Sequence, residues 1–265
     1  MTTPALLSNP LVVRVWRGAA EVLLIGVLWV GYSLSRLFAD GSPTPAVARA
    51  HRLLGLERFV WLDIEGWLNN WFAGSPALSL VCSYYYASAH YVVTAAVLLW
   101  LWRRGSQIYS PARRVLVLAT LMALVLYLVL PMAPPRLLPG YVDVLQLTSA
   151  DGWWGGHASA PRGMGGYTNQ LAAFPSMHAG WSLWVAWVVQ REVRRRWVRV
   201  LAWGHVAMTA FVIVGTGNHW VLDVVAGWLV MAAAFGLVYG PLPARPGVTA
   251  CPRTAGRASG RVSPR

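Results

Sequence analysis

Six apolar runs recur along the chain, at roughly 15–38, 76–102, 115–130, 175–190, 201–215 and 220–239. Most approach or exceed the length of about 20 residues that a helix needs to cross a bilayer. Between the first two, residues 39–75 mix apolar and charged positions. Leu53, Leu54, Leu56, Phe59, Val60, Leu62, Ile64, Trp67, Leu68 and Trp71 form a roughly helical stripe beside Arg49, Arg52 and Arg58. That pattern predicts an amphipathic helix, or two, lying on the membrane surface. Between the third and fourth runs, residues 131–170 are rich in Pro, Gly and Trp. A connection of that length is usually functional or disordered. The expected fold is an all-α integral membrane protein. It has six transmembrane helices, an interfacial amphipathic helix between the first and second, and a long outer loop between the third and fourth. Residues 1–240 form one domain, and 241–265 a disordered, Arg/Pro-rich cytoplasmic tail.

Composition supports the membrane reading. Of 265 residues, 57% are hydrophobic and 12% charged, where a soluble domain carries about 25% charged. Sixteen Trp and ten Tyr suit the headgroup level of a bilayer. The first run is long enough to act as a span, and no small-residue cleavage site follows it, so no cleaved signal peptide is expected. Cys82 and Cys251 have neither metal-site spacing nor a clear case for a disulfide.

Charge orients the chain. All 22 basic residues are Arg and none is Lys, so Schiff-base and lysine-clamp chemistry is excluded. The net charge of +13 is read as topology and contact with anionic headgroups rather than nucleic-acid binding. With the N-terminus inside, 16 of the 22 Arg fall on inside segments, and most acids lie outside. The positive-inside rule then puts both termini in the cytoplasm, in a multi-pass plasma (cytoplasmic) membrane protein.

Three polar motifs interrupt the apolar runs, and this topology sends all three to the outer face. Phe174-Pro175-Ser176-Met177-His178 opens the fourth run. Pro suits a first helical turn, and Ser176 with the free N–H groups after it, Met177 included, makes an anion site beside His178. Asn218-His219-Trp220-Val221-Leu222-Asp223 opens the sixth. His219 and Asp223 are spaced i, i+4, predicting imidazole and carboxylate on one helix face, with the carboxylate holding one ring nitrogen as donor. Alone, such a pair could also be a buried hydrogen bond or half a metal site. No His-x-x-x-His and no Cys or carboxylate cluster supports a metal. Pro131-Met132-Ala133-Pro134-Pro135-Arg136 closes the third run, and Arg136 offers bidentate donors for phosphate.

On Pro175-Ser176-Met177-His178, on His219-Trp220-Val221-Leu222-Asp223 and on Ala133-Pro134-Pro135-Arg136, the chain resembles the type 2 phosphatidic acid phosphatase superfamily. Within it the likeness is to the inositol phosphorylceramide synthase–like, inositolphosphotransferase branch. The resemblance implies a metal-free histidine mechanism with no cofactor. His219 would attack phosphorus and form a phosphohistidine, with Asp223 orienting it. His178 would protonate the leaving oxygen and then activate water or an alcohol. Arg136, Ser176 and the helix-start amides at Met177 would hold the phosphoryl oxygens. Phosphatases of the superfamily carry a Lys where Val129 stands and a Ser-Arg pair where Val212-Ile213 stand. Arg162, His157 and Asn218 are candidate replacements as substrate contacts, and His90 is a candidate for lining the lipid cleft. The expected substrate is a lipid phosphate of phosphatidic acid, polyprenyl diphosphate or phosphoinositide type, hydrolysed or transferred at the outer face. A non-catalytic lipid-binding or transport protein on the same fold is the competing reading.

Overall fold

The computed structural model describes residues 10–39, 43–155, 158–163 and 168–240. The predicted tail at 241–265, and His157, lie outside these. Among the described residues the helices are α1 (Pro10–Ala39), α2 (Pro43–Phe59), α3 (Glu65–Ala73), α4 (Pro76–Arg104), α5 (Ser106–Val129), α6 (Val144–Leu147), α7 (Met177–Glu192), α8 (Arg196–Gly215) and α9 (Val221–Tyr239). The loop between α5 and α7 also carries a two-stranded antiparallel ribbon, β1 (Trp154–Gly155) with β2 (Ala158–Pro161).

Six long helices thus correspond to the six apolar runs, but they are not equally fit to span. Three of them, α5, α8 and α9, are long and apolar enough to cross a membrane, which makes this a membrane protein. The apolar stretch of α1 is Gly18–Leu34, while α4 and α7 fall short for physical reasons. Helix α4 turns Ser79, Ser83, Tyr86, His90 and Thr94 inward, a stripe at helical spacing that lowers its mean hydropathy. Helix α7 has only 16 residues, about 24 Å at 1.5 Å per residue. The residues before it, 171–176, run as non-helical chain.

The amphipathic region folds as two helices, Pro43–Phe59 and Glu65–Ala73. Trp61, at a left-handed φ of 60°, closes the hairpin between α2 and α3. Only part of the stripe predicted to meet the membrane faces outward: Phe59 and Trp67 are 81% and 70% exposed, but its Leu54 and Leu68 are buried. The opposite face, with Ala46, Ala50, Leu54, Leu68 and Phe72, packs inward. Glu57, Glu65 and Asn69 sit on that inward face, fully buried.

Helix α7 is central, packing on α8, α9, α4 and α5. Its Trp184 is wholly buried and donates from Nε1 to the Ala112 carbonyl of α5 at 2.9 Å. Helix α1 lies against α5, where Glu21 pairs with Arg113. In the outer loop, Trp154 does not reach the surface as an interfacial anchor would. It is 1% exposed, donates to the Leu145 carbonyl and packs edge-on against Tyr84 of α4. Buried apolar contact inside the loop outweighs the headgroup preference of its ring.

Candidate active site

The chain leaving α5 runs beside the chain entering α7. The Met132 N–H donates to the Leu171 carbonyl at 2.7 Å, and Met132 and Ala172 form a parallel bridge. Pro135–Leu137 then makes a tight turn, and the Arg136 N–H donates to the Gly217 carbonyl at 2.8 Å. That bond ties the first motif to the turn between α8 and α9. The Arg136 side chain is only 5% exposed, with Nε 3.4 Å from the Asp143 carboxylate. Its Nη1 has no hydrogen-bond partner among the described residues. A buried guanidinium with a free donor is poised for an anion.

Ser176 caps α7, its Oγ accepting from the Ala179 N–H at 3.4 Å. Its own N–H donates to the Asp223 carbonyl at 2.9 Å, joining the second motif to the third. Tyr127 of α5 donates to the Pro175 carbonyl at 2.9 Å and steadies the same corner. Helices α7 and α9 approach closely here: a Cβ on Gly227 would overlap the Ser176 carbonyl, and one on Gly180 would lie 3.2 Å from the Gly227 carbonyl oxygen.

The α8–α9 turn is held from several sides. The Ile213 carbonyl accepts from the Asn218 and His219 N–H groups at 3.2 and 3.1 Å. Gly217 has φ +73°, and a Cβ there would lie 3.0 Å from both Asn69 Nδ2 and the Val142 carbonyl, so the position demands glycine. Asn69 donates to the Val142 and Gly215 carbonyls and accepts from the Val142 N–H. Trp220, fully buried, donates to the Ala133 carbonyl at 2.9 Å.

These links bring the two histidines together, ring centroids 5.4 Å apart. The His219–Asp223 geometry differs from the one-face reading. His219 lies in the turn before α9 rather than on the helix. Its Nδ1 is 2.9 Å from the Ala173 carbonyl and 3.5 Å from Asp223 Oδ2. That carboxylate oxygen instead accepts the Trp220 N–H at 2.8 Å, as a helix cap. A carbonyl can only accept, so Nδ1 carries the proton and Nε2 keeps its lone pair. The chemical consequence is the one expected of Asp223, but the main partner is backbone. Burial, and then the Arg136 charge, push the His219 pKa down to about 3 against the pull of the Ala173 bond. The imidazole is therefore neutral near neutral pH, with a lone pair on Nε2.

The remaining candidates divide. His90 joins the site, its ring 4.0 Å from that of His178, which also stacks on Tyr86 at 4.7 Å. Asn218 is buried and donates to Thr216. Arg162 is engaged by the outer loop, donating to the carbonyls of Ser149, Ala150 and Trp154. Val129 points outward and Val212 and Ile213 fill the core. Among the described residues Arg136 is the cation acting on His219.

Sequence reasoning passed over Glu57, Glu65, Asn69, Tyr86 and Tyr127. For the two glutamates a signal existed: carboxylates inside an apolar stripe, which are rarely buried unless paired.

The model of the PAP2 superfamily matches residues 51–237, which takes in α3 to α8 whole and most of α2 and α9. The chain belongs to the PAP2 superfamily. Members are generally phosphatases, and membership points to phosphatase-type chemistry on lipid phosphates. Neither the curated proteins nor the solved structures contain a match.

Proposed function

We propose that the protein is a membrane enzyme that hydrolyses or transfers a phosphoryl-containing lipid headgroup through a phosphohistidine on His219. The observation that carries this reading is the facing pair His178 and His219, 5.4 Å apart, with Nδ1 of His219 tied to a carbonyl and Arg136 alongside. Nε2 of His219 attacks phosphorus, and the bond from phosphorus to the leaving oxygen breaks as His178 gives that oxygen a proton. Water or an alcohol then attacks; the P–N bond breaks and His178 recovers a proton. Arg136 neutralises charge on the phosphoryl oxygens, with the α7 start at Ser176 and Met177 as its complement. Asp223 steadies the turn, its Oδ2 lying 3.5 Å from Nδ1.

The Ala133–Arg136 motif, and Arg136 as the single cation acting on His219 among the described residues, favour the inositolphosphotransferase-like branch over the phosphatases. The reading includes six spans in the plasma membrane, with both termini cytoplasmic and the site on the outer face. That orientation rests on the Arg distribution.

The test uses purified protein with phosphatidic acid, a polyprenyl diphosphate and phosphatidylinositol, with and without an alcohol acceptor. Headgroup release or transfer by wild type and its loss in His219→Ala are expected. Equal turnover by the two across that panel would overturn the reading.

A further inference from the structure

Three N–H groups open α9, and each is taken by a carboxylate. Asp223 Oδ2 accepts from Trp220 at 2.8 Å, Glu65 Oε1 from Val221 at 2.9 Å and Glu57 Oε1 from Leu222 at 2.7 Å. The glutamates come from the α2–α3 hairpin, more than 150 residues earlier in the chain, and both are fully buried. Negative charge at a helix start is favourable, and three free donors are satisfied. Yet this is more charge than capping needs, since one Asp or Ser suffices at most helices. It also closes the α9 start to any anion, so a phosphate must turn to Arg136 and α7.

The other oxygens tell more. Oε2 of Glu57 and Oε2 of Glu65 are buried without a hydrogen-bond partner among the described residues. The two side chains act directly on one another. Two ionised carboxylates so placed would repel in a site that water does not reach. One proton between them removes a charge and gives a stranded acceptor a donor.

We propose that Glu57 and Glu65 are positioning residues for the reaction on His219, clamping the first turn of α9 with their Oε1 atoms while their Oε2 atoms hold one proton in common. The proposal rests on the functional reading above. The clamp acts through short links: Trp220 and Val221 directly follow His219, and Trp220 also fixes the Ala133 stretch that leads to Arg136. A loosened α9 start would let the His219 ring leave its Ala173 partner and lose both its tautomer and its aim.

Burial is the first cause raising the Glu57 pKa to about 9, opposed by the Leu222 N–H and reinforced by Glu65 and Asp223. The groups acting with the pair are Asp223 of α9 and Tyr141 of the loop after α5. Burial raises the Tyr141 hydroxyl to about 12, beyond the window in question. The sign follows. With a folded pKa above the unfolded value of 4.5, the protonated clamp is favoured at low pH and weakens as pH rises towards about 9.

The experiment compares Glu57→Gln, Glu57→Ala, Glu65→Gln and Glu65→Ala with wild type in lipid nanodiscs. It reads kcat and KM from pH 6 to 10, and hydrogen exchange in the segment 218–224. The Ala variants should lose kcat by about 10–100-fold with KM changed less than about 3-fold, as expected when aim rather than binding is lost. The same segment should exchange faster in them. Glu57→Gln keeps an acceptor for Leu222 and a permanent donor for Glu65. It should recover kcat to within about 5-fold of wild type and lose the decline that wild type shows as pH rises through about 9. The proposal is overturned if the Ala variants keep wild-type kcat and exchange, or if Glu57→Gln declines with pH as wild type does. Failure of the enzyme reading looks different: His219→Ala would match wild type in turnover, while exchange at 218–224 would still respond to the glutamates.

Discussion

The Ser176 N–H donates to the Asp223 carbonyl at 2.9 Å, joining the start of α7 to the start of α9. The two histidines meet because of this contact, and the contact exists because Gly180 and Gly227 leave room for it.

Gly227→Ala should therefore damage the site without touching a catalytic group. A Cβ there would overlap the Ser176 carbonyl, and overpacking of this kind costs about 1–3 kcal/mol. Thermal unfolding should shift down, and turnover should fall at least about 10-fold because a misplacement of 1 Å is expensive to catalysis. Unchanged turnover would mean that the spacing between α7 and α9 does not set the geometry of the histidines.

Changes at His219 and at Asp223 should not be equal in effect. His219→Ala removes the proposed nucleophile and should abolish turnover and any acid-labile phosphoprotein. Asp223→Asn retains an oxygen to cap Trp220, and the Ala173 carbonyl still holds Nδ1. Its loss should be smaller, about 10–100-fold. His178→Ala, lacking the proton donor and base, should accumulate phosphohistidine with an activated substrate, visible by phosphorus-labelled gel or mass spectrometry.

Arg136→Lys should fall well short of wild type, because a point charge cannot replace a planar fork on phosphate. We expect kcat/KM to drop by about 10-fold or more for Lys and further for Ala. Inhibition by vanadate should weaken in parallel, and equal vanadate affinity in wild type and Arg136→Ala would remove Arg136 from the anion site.

The pH profile follows from a His219 pKa lowered from 6.5 to about 3. The neutral, reactive form persists above about 3, so kcat/KM for a phosphodiester substrate should show no His219 limb between pH 5 and 8. A phosphodiester is the right probe because it does not itself titrate there. In stability the sign is the same: the folded state resists protonation, so its advantage declines as pH falls from 6.5 towards 3. An inflection of kcat/KM near pH 6.5 in the wild-type enzyme would contradict the lowered His219 pKa.

Sequence alone went far with His178, His219, Asp223 and Arg136, because each stands at the edge of an apolar run where a charge is conspicuous. The Arg pattern and the alternation of spans sent all of them to one end of the bundle, and there they meet. The interfacial stripe was legible only in part: Phe59 and Trp67 face outward, whereas Leu54 and Leu68 turn inward, because α2 and α3 carry apolar residues on both faces.

What sequence could not supply was the partner of each polar atom. Spacing put Asp223 on His219, whereas folding gave Nδ1 to the Ala173 carbonyl and turned the carboxylate to the helix start. A backbone carbonyl carries no mark in the sequence, because every residue has one. His90 and Tyr86 came to His178 through the packing of α4 against α7. Glu57 and Glu65 crossed from the hairpin to α9 through contacts more than 150 residues apart. Periodicity records which face of an element is apolar and so determines where the spans and polar edges lie. Only tertiary packing decides which two faces meet, and that decided what holds His219 in place.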